Sequence, residues 1–369
     1  MLPLILNVLQ FRRDLEHLHR LTARQGKVAP QDLLRHGAPR VSFLVAAWNE
    51  ESTLRSCLEA ILGLNYPNLE LILCAGGTDR TWEIAQAIAD ARLILLAQEP
   101  AEGKQRSLAR GLERATGEVV YLLDAGGRIT AQAFARVLDA IVNGGEEAVT
   151  CSPCTPYPAQ LENAFVVNQC AGRIYTSLHQ PEYCSGILGA NSAIRRSALE
   201  KAGGFRRELR GGVDYDLGKR LLARGFRIRY EARASFPVEF HTDIRGYLRQ
   251  QARWLRNVVI HGMRFGAYGE VASCLATSLI GLAMLVVPFL PAVPAISPSA
   301  ARTLGVTWAI GFSHAFFSRV RYLRVAARWL GIRLPRRAIA LLPVFLLIDF
   351  VAWTIPLFQY PLKRWREVW

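Results

Sequence analysis

The sequence predicts an α/β domain with a mostly parallel sheet, followed by C-terminal transmembrane helices. Three observations carry that expectation. Short apolar runs alternate with amphipathic stretches from residue 41 onward, long charge-free segments are confined to the C-terminal part, and polar residues gather where the apolar runs end.

The strand candidates are residues 41–46, 69–74, 92–97 and 119–123. Between them, residues 51–62, 80–90 and 104–115 carry helical periodicity. Strands spaced by helices of this length read as βαβ units. Their unbroken apolar character suits strands covered on both faces. Beyond them the pattern predicts a helix over 161–177, a glycine-rich stretch at 186–192, a helix over 214–224, a strand over 227–234 and a helix over 245–259. The expected organisation is an interfacial segment at 1–37, the α/β domain at 38–260 and a membrane region at 261–369.

Composition excludes disorder: of 369 residues, 51% are hydrophobic and 20% charged. The mean hydropathy of +0.15 is high for a soluble enzyme, and the apolar excess is localised. Residues 271–301 carry no charge, and 338–362 carry only Asp349. Both are long enough for the roughly 20 residues that cross a bilayer core. Residues 303–318 are uncharged but short and contain His314, so the membrane region is expected to hold two or three helices. Asp349 inside an apolar segment is expected to face other helices or a polar lipid head.

The net charge of +15 fits an anionic lipid surface. No nucleic-acid module accompanies it, so nucleic acid is not an expected partner. Arg319, Arg321, Arg324, Arg328, Arg333, Arg336 and Arg337 lie between apolar segments. Such a run reads as a headgroup-facing cytoplasmic loop, which also sets the α/β domain on the cytoplasmic side of a multi-pass cell-membrane protein. Seven cysteines, an odd number, suit a reducing compartment. Cys151 and Cys154 form a lone CxxC with no second pair, an incidental spacing. Residues 1–10 are apolar, too short to span and followed by no cleavage site. With Phe11, Leu15 and Leu18 they form either an interfacial amphipathic helix or a packing helix.

Chemistry is sought at the carboxyl ends of the strands, where open α/β sheets bind ligands. Trp48-Asn49-Glu50-Glu51 follows the first strand, and Asn49 is placed to cap the next helix. Asp124 ends the apolar run 119–123, either as a ligand for a nucleotide-sugar or its metal, or as a helix cap. Asp214 and Asp216 open a helix whose N-terminus favours negative charge, and Asp214 is alternatively a base. Gln250, Arg253 and Trp254 share one helical face by their spacing. That face fits either a diphosphate and a ring, or an interfacial helix at the headgroups.

The order of these segments resembles glycosyltransferase family 2, the inverting GT-A-fold enzymes that include cellulose and hyaluronan synthases and ceramide-type glucosyltransferases. The resemblance spans most of the α/β domain. It rests on Trp48-Asn49-Glu50-Glu51, Gly77-Thr78-Asp79-Arg80-Thr81, Gly103-Lys104, Asp124-Ala125-Gly126, Gly203-Gly204-Phe205, Asp214-Tyr215-Asp216-Leu217 and the QxxRW at Gln250–Trp254. It implies a GT-A (Rossmann-like) nucleotide-sugar-binding domain with Asp214 as catalytic base. Asp124 would be the first carboxylate of the family's DxD, handling the donor with Mg²⁺ or Mn²⁺. Arg253 and Trp254 would hold the diphosphate and the acceptor entrance, with Asn49, Glu50, Lys104 and Gln250 also on the donor. Two or three spans are few for a polysaccharide channel, so the expected acceptor is a lipid or a lipid-linked sugar, with a glycan as the further choice.

Three positions depart from that pattern. Cys74-Ala75 replaces an acidic pair, Gly126 replaces the second carboxylate of DxD, and Val213 replaces the Glu before the base. A metal would then rest on Asp124, the donor's phosphates and, as a further candidate, His241. A silent relative that binds a nucleotide-sugar or lipid as a scaffold is the alternative expectation.

Overall fold

The computed structural model describes residues 2–23, 37–100, 102–152, 154–209 and 211–362. Helix α1 (Leu2–Ala23) precedes the alternation β1 (Val41–Trp48), α2 (Leu54–Leu62), β2 (Leu69–Gly76), α3 (Thr81–Gln86), β3 (Leu93–Ala97), α4 (Gly103–Arg114) and β4 (Val119–Asp124). There follow α5 (Ala131–Val142), β5 (Ala148–Thr150), β6 (Thr155–Pro156), α6 (Ala164–Leu178), β7 (Asn191–Arg195), α7 (Arg196–Lys201), α8 (Val213–Ala223), β8 (Ile228–Tyr230) and β9 (Pro237–Val238). The chain ends in α9 (Ile244–Arg264), α10 (Tyr268–Val286), α11 (Pro298–Leu330), α12 (Arg336–Ala340) and α13 (Leu342–Leu362). Two compact units result: residues 37–157 with 177–239, and residues 2–23 with 158–176 and 240–362.

The first unit is the expected α/β fold. Its main sheet runs β3-β2-β1-β4-β7-β5-β8. Pairing is parallel except at β7, which is antiparallel to both β4 and β5. β1 and β2 extend beyond their expected ends because their ladder continues to Trp48 opposite Gly76. Successive side chains on β1 serve opposite faces. Phe43 stacks on Tyr121 at 4.6 Å and lies 5.8 Å from Phe134 of α5. Leu44 joins Ile72, Leu108, Val120, Leu122, Leu217 and Leu221 in the opposite core.

The strand order reverses direction between β1 and β4, with β2 and β3 to one side and β7 to the other. Such a switch point is where doubly wound sheets receive ligands.

The second unit is helical. Tyr268–Ala292 is, among the described residues, the one helical segment long and apolar enough to cross a membrane, with mean hydropathy 2.1 and 17% of its apolar window buried. Leu342–Phe358 is apolar but shorter. The uncharged residues 303–318 form part of the 33-residue α11, which runs straight on through Arg319, Arg321, Arg324 and Arg328. The arginine run is therefore not a loop at these positions, and the reason lies in two buried carboxylates. Arg319 pairs with Asp349 of α13, which also accepts from the Tyr247 hydroxyl of α9. Arg321 pairs with Asp14 of α1 at 3.1 Å. A buried carboxylate needs such a partner to offset its desolvation. Arg324 and Arg328 instead place their guanidinium groups 6.0 and 5.8 Å from the Phe11 ring. α1 packs on α11 through this seam and through the Ser318 hydroxyl, which donates to Asn7 at 3.1 Å.

Candidate functional site

The carboxyl edge of the α/β unit is shaped by backbone requirements legible in its small residues. Asn49 follows β1 with φ 58°, the left-handed region that Asn tolerates better than most residues. Its side-chain oxygen accepts from the Thr78 amide at 2.7 Å, tying the loop after β1 to the loop after β2. The cap expected of Asn49 is not made: α2 begins at Leu54, with Thr53 in the N-cap position. Gly77 completes the knot. A Cβ there would lie 2.3 Å from the Asn49 side-chain oxygen, and its φ of 140° belongs to glycine. Asp79 accepts from the amides of Glu51 and Thr81 at 3.1 and 3.0 Å, so it holds the same turn.

Glu50 comes next and is half-buried. Burial raises its carboxyl above the usual range, opposed by the Thr53 hydroxyl and reinforced by Asp124, Glu239 and Asp79. A carboxylate surrounded by others in a partly dry setting is poised to meet a cation or a hydroxyl.

Asp124 ends β4, in register with Ala46 of β1. It forms an ion pair with the ammonium of Lys104, from the first turn of α4. Gly126, two residues on, leaves open space: a Cβ built there meets nothing within 4 Å. Its carbonyl accepts from Tyr157 at 3.2 Å.

Asp214 lies in the first turn of α8, half-buried, with its carboxylate accepting from the Gly189 amide at 3.4 Å. A Cβ on Gly189 would lie 3.3 Å from the Lys104 Nζ and 3.8 Å from the Asp214 Oδ2. Lys104, Asp124 and Asp214 therefore converge on one place, at the C-terminal end of β4. α8 is anchored by the residue the sequence left as a helix-terminus charge. Asp216 is fully buried and pairs with Arg220 at 2.7 Å and Arg206 at 3.4 Å. Arg220 also donates to the carbonyls of Ala202 and Gly204, the latter at 2.8 Å. The glycines 203 and 204 have φ of 84° and 61°, which this turn demands.

Gln250, Arg253 and Trp254 lie on α9, in the helical unit. Arg253 and Trp254 are exposed and Gln250 half-buried. The Arg173 guanidinium sits 5.6 Å from the Trp254 ring and 4.8 Å from that of Phe240, a cation–π bracket. His241 precedes α9, its ring against Gly246 and its carbonyl accepting from Gln169 at 2.7 Å. Asp243 caps that helix by accepting from the Gly246 amide at 2.7 Å.

Two features escaped sequence reasoning. The Gly189 loop, which brings an amide to Asp214, belongs to a segment whose periodicity is irregular. Gln98, 8% exposed just past the end of β3, has a buried side-chain oxygen with no partner among the described residues. A lone polar residue ending an apolar strand was the available signal. At the end of β2, Cys74 and Ala75 are both buried in the sheet, and Cys74 donates its thiol to the Ser107 carbonyl at 3.1 Å. Among the described residues no disulfide joins these cysteines.

The residues do not fit a divalent ion well. Among the described residues no group of three or more His, Cys, Asp or Glu side chains could hold a metal. Asp124 already carries an ammonium, and Gly126 supplies no oxygen from a side chain.

The doubly wound sheet with acids at its switch point is an α/β fold of the GT-A-like class. The Glycosyltransferase like family 2 profile matches residues 39–257, and the chain belongs to that family. It is 28% identical over 222 residues to a poly-beta-1,6-N-acetyl-D-glucosamine synthase of Staphylococcus epidermidis, covering 58% of this chain and 53% of the relative. It is 26% identical over 241 residues to the probable glycosyltransferase YdaM of Bacillus subtilis, covering 59% and 55%. The chain thus spans about half the length of these curated relatives. Among solved structures, the mannosyltransferase PcManGT from Pyrobaculum calidifontis, in complex with GDP-Man and Mn²⁺, has the same fold with a TM-score of 0.51. That likeness covers 96% of this chain and 95% of the other at 18% identity.

Proposed function

We propose that this chain is a membrane-bound glycosyltransferase that moves a sugar from a nucleotide-sugar donor to a lipid, lipid-linked or glycan acceptor, with inversion. The convergence of Asp214, Lys104 and Asp124 at the switch point is the observation that carries the reading. Family membership and that convergence favour it over a silent scaffold.

In this reading Asp214 is the general base. Its carboxylate takes the proton of an acceptor hydroxyl as that oxygen attacks the anomeric carbon. The bond from that carbon to the diphosphate oxygen breaks on the opposite face, and the nucleoside diphosphate leaves with its electron pair. Base assistance of this kind is worth about 10²–10⁴-fold. The Gly189 amide and the start of α8 orient the carboxylate. Lys104 offsets charge growing on the leaving diphosphate, a preorganised electrostatic task. Asn49, Glu50 and Asp124 are assigned to the donor; for Gln250, Arg253 and Trp254 of α9, a donor role is supported by the QxxRW pattern alone. A Mg²⁺ or Mn²⁺ at this site would rest on Asp124 with the donor's phosphates. No step here is routed through it.

Membrane attachment is assigned to residues 268–292, with 342–358 and the apolar part of α11 as further spans. The low burial of the first segment supports lipid contact. The arginine-bearing end of α11 is assigned to the cytoplasmic side of a multi-pass arrangement. Two or three spans suit an acceptor that is a lipid or a lipid-linked sugar at the membrane surface.

The reading is tested by screening nucleotide-sugar donors with the full chain in nanodiscs, comparing the parent with Asp214→Asn. Turnover with one donor and its loss in the variant is the expected result. Equal turnover in both rejects Asp214 as base.

A further inference from the structure

We infer that Lys104 is a resident cation that replaces the divalent ion, so that the donor's diphosphate is bound and released without metal. This deepens the transferase reading and rests on it.

The argument begins with the donor set. Mg²⁺ is ordinarily held by one or two carboxylates together with substrate phosphates, in near-octahedral oxygen geometry. On this loop Asp124 is followed by the buried Ala125 and by Gly126. The space a side chain at 126 would enter is open, with nothing within 4 Å. The Gly126 carbonyl is already engaged by the Tyr157 hydroxyl. An ion landing on Asp124 would have to displace an ammonium already paired with it.

The position of that ammonium matters as much as its presence. Lys104 starts α4, so its backbone is fixed by a helix, and its Nζ lies against Gly189 on the side that also carries the Asp214 carboxylate. One cation thus stands between the carboxylate assigned to the donor and the one assigned to the acceptor proton. A lysine is a compact point charge that binds phosphate without demanding a coordination shell. Pairing with Asp124 aims it before the donor arrives, and the incoming diphosphate then shares it.

Gly126 supplies the converse. No left-handed φ is required there and the space is vacant, so an aspartate can be accommodated. Gly126→Asp restores the second carboxylate and should create a metal requirement where none existed.

The test uses the full chain in nanodiscs and measures binding of UDP and of GDP by calorimetry, in EDTA and in Mn²⁺. The parent is expected to bind one of them with a Kd that differs by less than about threefold between the two conditions. Lys104→Met should weaken that binding at least about tenfold, a loss near 1.4 kcal/mol, while Lys104→Arg retains most of it. Gly126→Asp should bind at least about tenfold more tightly in Mn²⁺ than in EDTA, which keeps the idea testable if Lys104→Met fails to fold. A parent whose affinity collapses in EDTA and returns with Mn²⁺ overturns the resident cation and leaves the transferase reading standing. A parent that binds neither nucleotide under either condition overturns both.

Discussion

The two edges of the main sheet hold acids in opposite circumstances. At the amino edge, Glu70 is 3% exposed on β2 yet surrounded by donors: the Ser42 hydroxyl, the Thr116 amide and hydroxyl, the Gly117 amide and Arg40 at 2.8 Å. Burial alone would raise its carboxyl, but these bonds outweigh it and the net displacement is downward. At the carboxyl edge, Glu50, Asp124 and Asp214 share few donors, and Glu50 is displaced upward by burial and by its acidic neighbours. A saturated acid stabilises the fold. Acids left short of donors keep their capacity for a ligand.

Disrupting the anchors should expose this difference in stability. The largest effect is expected at Asp216, buried between Arg220 and Arg206. Asp216→Ala takes the carboxylate away from the buried Arg220 and from Arg206, and breaking such a buried pair costs about 3–5 kcal/mol. Chemical denaturation of the variant should read that loss, together with loss of turnover as α8 shifts. Glu70→Ala comes second, at about 2–3 kcal/mol, since hydrogen bonds to a charged group carry most of it. Because the folded-state pKa of Glu70 is lowered, its contribution is complete above the unfolded value near 4.5 and is lost as pH falls through the folded one. Acid titration of the parent should show that loss, and Glu70→Gln should remove it.

Glu50 gives the smallest effect and the opposite sign. Its folded pKa is raised, so the carboxylate disfavours folding at neutral pH, and stability is regained as pH falls through the folded pKa toward the unfolded value near 4.5. Glu50→Gln should therefore leave the neutral-pH Tm equal to or slightly above that of the parent, and flatten this part of the pH profile, as followed by calorimetry. A clear drop in Tm would place Glu50 with Glu70 as a structural acid.

The sequence made much of the carboxyl edge legible because its signals are local. Asp124 ends an apolar run, Asp214 opens a helix, and Gly203-Gly204 marks a turn that needs left-handed backbone. What stayed hidden depends on distant partners. Nothing near Asp349 in sequence announces Arg319 of α11 and Tyr247 of α9, and nothing near Asp14 announces Arg321. The arginines consequently read as a headgroup loop. The antiparallel strand β7 stayed hidden because it begins inside the glycine-rich stretch 186–192, where no strand was expected. Asn49 was misassigned because a cap and a left-handed turn favour the same residue type.

The central claim is that the carboxyl edge gives up stability for chemistry, with Asp214 as its reacting base. It is tested most directly by measuring Tm and single-turnover transfer together on Asp214→Asn, with the donor the parent accepts. The account predicts a Tm at or above the parent's and a rate lower by about 10²–10⁴-fold. A variant that transfers sugar at the parental rate, or that loses its fold instead of its chemistry, contradicts it.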